Sequence, residues 1–220
     1  MKKVLIIIML LISLNSVFAQ DYIRVNANVD NVKTKKHVGI IAVGFGFPYW
    51  INKPDDYFIV GTYKVKLNII NGYQFNPYTY LGLGVGFNLM TKFDYYLFYP
   101  QNDVPVVPLF SYFKANFTNK DISPYFSLGL GYAFCLIKDY KISYNYFSGN
   151  YKYKGGLLFS PTLGVNYRLP SKKIIHFGVN YESQWMKRKY KGVNNYNNQN
   201  MSFEDKYIFS SLNIIIGIYF

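Results

Sequence analysis

The chain has 220 residues, half of them hydrophobic and 20% aromatic, with 24 Tyr, 19 Phe, a single Cys and a formal charge of +13. One cysteine excludes an intrachain disulfide, and so large an aromatic share is unusual for a soluble domain. After the first dozen residues no apolar run approaches the ~18 residues that a membrane-crossing helix needs, which excludes a helical membrane protein.

The amino terminus reads as an export signal over residues 1–19. Lys2 and Lys3 supply the positive start, Val4 to Ile12 the apolar stretch, and Val17-Phe18-Ala19 a small-residue cleavage site before Gln20. A polar periplasmic lead, 20–36, follows. Even without Lys2 and Lys3 the chain stays strongly basic, which suits an anionic surface such as lipopolysaccharide phosphates after export. The export signal argues against nucleic acid as the partner of those cations.

From residue 37 onward the chain breaks into runs of apolar and polar residues that alternate with period two. They fall near 37–46, 58–75, 79–90, 106–117, 124–137, 156–169, 173–186 and 206–220. Each is long enough to supply the ~9–11 residues that cross a bilayer at a tilt. Their connections alternate in length: long at 47–57, 91–105, 138–155 and 187–205, short at 76–78, 118–123 and 170–172. Long loops outside and tight turns inside, on an even number of strands, predict an all-β, eight-stranded antiparallel up-and-down transmembrane β-barrel over 37–220 with both termini in the periplasm.

Parity sorts the side chains. Leu81, Leu83, Val85, Phe87 and Leu89 oppose Gly82, Gly84, Gly86 and Asn88, and Ile175, Phe177, Val179, Tyr181 and Trp185 oppose His176, Gly178, Asn180, Glu182 and Gln184. A soluble barrel would show the same pattern inverted, but the aromatics separate the two. Tyr73, Phe75, Phe117, Tyr167 and Phe220 gather near the short turns, and Phe87, Phe134, Phe159 and Trp185 towards the long loops. Two aromatic rings at different heights belong where a barrel meets both faces of a membrane.

The hairpin segments Pro77-Tyr78-Thr79-Tyr80-Leu81-Gly82-Leu83-Gly84 and Pro124-Tyr125-Phe126-Ser127-Leu128-Gly129-Leu130-Gly131 echo each other, and the last strand ends on Tyr219-Phe220. With the export signal and the eight runs, the chain resembles the small outer-membrane β-barrel family that includes the OmpA and OmpX barrels. The resemblance implies a bacterial outer-membrane location and a terminal strand read by the barrel-assembly machinery, here through Ile216, Ile218, Tyr219 and Phe220.

An eight-stranded barrel has a lumen only wide enough for side chains. Lys64, Lys66, Lys114, Arg168, His176 and Glu182 point inward by parity, so cations outnumber acids there. The expected result is a polar plug in a protein with a structural, adhesive or surface-interaction role; the alternative is a narrow anion-preferring pore or small-ligand carrier. A lipid-modifying enzyme is the least favoured reading. His176 and Glu182, six apart in one strand, stand about 20 Å from each other, and Ser160 has no nucleophile motif around it. No catalytic residue, cofactor or metal site is expected, and Cys135 reads as a small packed side chain. His37 reads as interfacial.

Specificity is expected in the long loops, because binding residues collect on loops carried by a rigid scaffold. Tyr144, Tyr146 and Tyr151 are interleaved with lysines, and Lys187, Arg188 and Lys189 precede an Asn-rich stretch. Rings stack on sugars or protein surfaces and basic groups meet phosphates, so the expected partners are outer-membrane lipid, lipopolysaccharide and an extracellular glycan or protein, with the barrel itself a monomer.

Overall fold

A strand that alternates apolar and polar residues has one face that water rejects and one that needs hydrogen-bond partners. In the computed structural model of the protein these faces are resolved by closing the sheet on itself. The structure describes residues 36–51, 62–92, 104–136, 140–143, 147–171 and 173–220; the expected leader and all but the last residue of the polar lead lie outside them.

Ten strands form among the described residues: β1 Lys36–Ile51, β2 Thr62–Gln74, β3 Thr79–Lys92, β4 Val104–Asn116, β5 Ile122–Cys135, β6 Tyr140–Ser143, β7 Phe147–Lys154, β8 Gly156–Arg168, β9 Ile174–Asn194 and β10 Gln199–Tyr219. β1 to β5 pair in chain order, β5 pairs β8, β8 pairs β9, and β10 joins β9 to β1, so eight strands close the barrel. Closure gives each of these eight strands two hydrogen-bonding neighbours, as a bilayer interior demands. The short turns are locally determined. In the first, Asn76 Oδ1 accepts from the backbone N–H groups of Tyr78 and Thr79, each at 2.8 Å, an Asx turn that the sequence Asn-Pro-Tyr sets up.

The barrel is inside-out. Val43, Val65, Leu83, Leu109, Leu163, Val179, Leu212 and Ile214 are exposed on its outer surface, Leu83 at 70% and Ile214 at 69%. Lys64, Lys66, Lys114, Asn166, His176, Asn180, Glu182 and Gln184 are buried inside. Phe75, Phe117, Tyr167 and Phe220 at one end, and Phe87, Phe134, Phe159 and Trp185 at the other, are exposed at the expected heights.

The structure corrects two of the long loops. Residues 140–143 and 147–154 pair antiparallel as β6 and β7, and 187–205 continues β9 and β10 with register unbroken from Ile218↔Ile175 to Gln199↔Asn194. The turn between them includes Asn198 at φ 54°, a left-handed conformation that asparagine tolerates. β6, β7, β9 and β10 thus make a four-stranded flap above the barrel mouth. Pairing with β9 runs from Phe147↔Asn194 to Lys154↔Lys187 and resumes at Leu158↔Gln184, so three residues of the β7–β8 segment face two of β9. This one-residue bulge reverses the parity between β8 and β7. In the flap the alternation sets tyrosine against lysine, as in Tyr151-Lys152-Tyr153-Lys154, and not aliphatic against polar, so a search for an apolar face reads it as loop.

Candidate functional site: a filled lumen beneath a basic flap

The lumen is filled in layers. Towards the flap, Val106, Ala133, Met186 and Phe209 pack as an apolar seal, joined by Cys135 as the small packed side chain it was expected to be. Below it lies Glu182 on β9. Its carboxylate accepts from Lys64 through Oε1 and from Lys66 through Oε2 at 2.5 Å, and Oε1 also accepts from Asn88 Nδ2 at 3.0 Å and from Gln184 Nε2. Lys64 also donates to Ser211 Oγ at 3.1 Å, and Lys66 to Asn180 Oδ1 at 3.0 Å. Asn180 in turn donates to Ser160 Oγ at 2.9 Å and Thr162 Oγ1 at 3.0 Å. Side chains from β2, β3, β8, β9 and β10 are thereby tied across the interior.

A cavity of 30 Å³ remains beneath the brace, lined in part by Lys66, Asn68, Ser160, His176 and Glu182. That volume suits one or two waters. Val38, Ile40, Ile70, Phe110, Tyr112 and Leu158 pack together beside the cavity, the last four lining it, and at the short-turn end stands Lys114. Its ammonium sits 3.6 Å from the ring centroid of Tyr125 and 4.7 Å from that of Tyr219. It donates to Asn166 Oδ1 at 2.8 Å and to the Tyr219 hydroxyl. No carboxylate pairs with it among the described residues. His176 stands edge-on to Tyr125 and Tyr219 at 5.9 and 5.6 Å.

Inward glycines supply the room for these rings. Gly164 and Gly178 face each other across β8 and β9, and Tyr125 opposes Gly164 from β5. A methyl on Gly164 would stand 2.7 Å from the Tyr125 ring, and one on Gly178 2.6 Å from its hydroxyl. The ring therefore occupies the space that two absent side chains leave.

Of the six residues expected in the lumen, five are there. Arg168 is the correction: it is 41% exposed, 3.8 Å from Asp121, and donates to Asn119 Oδ1 at 3.3 Å. As the last residue of β8 it has inward parity but stands at the rim, where water solvates it. Of the four expected assembly-signal residues, Ile216, Ile218 and Phe220 form an outer stripe, whereas Tyr219 points into the lumen. His37 is exposed at the rim, edge-on to Tyr73 at 5.2 Å. Tyr144 and Tyr146 lie outside the described residues. Tyr151, Lys187, Arg188 and Lys189 belong to flap strands and not to loops. Sequence reasoning missed the lumenal rings of Tyr80, Phe110, Tyr112 and Tyr125. The available signal was the in-register inward glycines on neighbouring strands, which call for large side chains beside them.

A closed eight-stranded barrel with apolar side chains turned outward and charged ones braced within defines a transmembrane β-barrel of the small outer-membrane type. Solved structures with this fold include the outer membrane protein OprG from Pseudomonas aeruginosa, at 17% identity and a TM-score of 0.51 over 84% of this chain and 97% of that one. Another is the outer membrane protein AlkL in DMPC lipid bilayers, at 12% identity and a TM-score of 0.55 over 88% and 93%. The likeness is one of fold. The exposed apolar belt and this fold together assign the chain to the bacterial outer membrane. No protein-family model and no curated protein sequence matches the chain.

Proposed function

We propose that the protein is a non-conducting outer-membrane barrel with a structural or adhesive role, whose lumen is a plug and whose working surface is the flap outside the membrane. The observation that carries this reading is the brace at Glu182. One carboxylate on β9 gathers lysines from β2 and an asparagine from β3, on the other side of the barrel, directly beneath the apolar seal of Val106, Ala133, Met186 and Phe209. Ions would have to break buried, charge-assisted contacts and then cross a dry layer.

Purified protein in planar bilayers is expected to remain silent. Reproducible anion-selective steps would overturn the plug and favour a narrow basic pore. Lipid A of unchanged mass in cells expressing the protein is expected of a barrel without catalysis, and a mass change would reassign it as a lipid-modifying enzyme.

A further inference from the structure

We propose that the outward face of the flap binds the phosphate groups of the glycolipid in the leaflet from which it rises. Lys154, Lys187 and Lys206 stand in register across β7, β9 and β10, and Lys152, Lys189 and Glu204 form the next row on the same face. With Lys191 beyond them, six lysines share that face with Glu204, the one acid on it among the described residues. Glu204 is held by Lys189, its register partner, at 2.6 Å, so among the described residues no carboxylate stands within the row of three lysines. Like charges directly opposed across strands destabilise a sheet, and an external anion removes that cost. The remaining lysine heads, other than half-buried Lys189, are exposed.

The position of the row selects a lipid over a free anion. Lys187 follows Trp185 by two residues on the same face, about 7 Å higher along β9. Ile208 is paired with Trp185 just as Lys206 is paired with Lys187. Trp185 is 43% and Leu157 63% exposed on the apolar belt immediately below. A molecule with acyl chains against that belt and phosphates one outward row higher meets both surfaces at once. The opposite face of the flap is engaged elsewhere, with Tyr190 buried and stacked on Phe203 at 4.9 Å.

This site depends on the membrane setting and not on whether the lumen conducts, so bilayer recordings and lipid binding fail separately. The test uses the full mature barrel in neutral detergent, offered bis-phosphorylated lipid A and the same lipid stripped of phosphate. Native mass spectrometry reads bound lipid, and the heat-dependent gel shift confirms folding of each variant. At about fivefold per lysine near an anionic surface, Lys154→Gln, Lys187→Gln and Lys206→Gln together are expected to weaken binding about 100-fold. The corresponding Lys→Arg triple and a control with Lys120→Gln and Lys173→Gln on the opposite rim are expected to retain it. Equal binding of the phosphorylated and stripped lipids, or displacement of the lipid by inorganic phosphate at equal concentration, would overturn the proposal.

Discussion

The ring of Phe220 covers Gly39 at the seam where the last strand meets the first. Their backbones exchange two hydrogen bonds, Gly39 N–H to Phe220 O and Phe220 N–H to Gly39 O, both 2.9 Å. A methyl group on residue 39 would overlap that ring. The contact lies on the outer surface, where the aromatic side chain replaces lipid over a stretch of bare backbone.

Gly39→Val is therefore expected to displace the ring and weaken the seam by about 1–3 kcal/mol, the usual cost of overpacking. The measurement is the temperature at which the folded gel band converts to the unfolded one. An unchanged conversion temperature would show that the ring moves aside freely.

Glu182 and Lys114 make opposite predictions although both are buried charges. Glu182→Gln leaves Lys64 and Lys66 without a carboxylate, which costs about 3–5 kcal/mol when a buried pair is broken on one side. Lys114→Met removes a charge whose desolvation costs several kcal/mol and loses cation–π contact worth about 2 kcal/mol. Tyr219 and Asn166, 3.4 Å apart, can then satisfy each other. The expected change for Lys114→Met is under about 1.5 kcal/mol by urea titration in bilayers, and a larger loss than for Glu182→Gln would reverse this account.

Tyr125 and the glycine pair are expected to be coupled. Gly178→Val drives the new side chain into the Tyr125 hydroxyl and costs about 1–3 kcal/mol. Combined with Tyr125→Ala, the same substitution fills space that the ring has vacated and costs less. A double-mutant cycle with a coupling energy within about 0.5 kcal/mol of zero would mean that the two sites are independent.

The flap contains one acid whose titration is legible. The hydrogen bond from Lys189, with Lys187 and Lys154 nearby, holds the Glu204 carboxyl below its ordinary 4.5. A depressed native value means that the contact contributes fully above 4.5 and is lost as the pH falls through the lower native value. A carboxyl-carbon NMR titration is expected to give a midpoint below 4.5 that returns towards it in Lys189→Gln. Protection factors of the β9 and β10 amides in the flap, taken relative to intrinsic exchange at each pH, should fall in the same acid range.

Much of the architecture is written locally. Strand parity needs only neighbouring residues, because a period of two puts every second side chain on one face, and hydrocarbon then decides which face turns outward. Hence the eight barrel strands, the aromatic heights and five of the six lumenal residues are legible in the sequence. Arg168 shows the limit of parity: it gives direction but not height.

The rest depends on which distant strands close on one another. Lys64 and Glu182 are 118 positions apart and meet only because the sheet curls into a ring. Tyr125 finds its place only because β8 and β9 bring two glycines into one register. A single extra residue between β7 and β8 turns Lys152 and Lys154 to the outer face beside Lys187 and Lys189. Alternation of side chains is a property of one strand, whereas brace, ring pocket and basic row are each made by several, and their spacing exists only once backbone pairing has fixed the register.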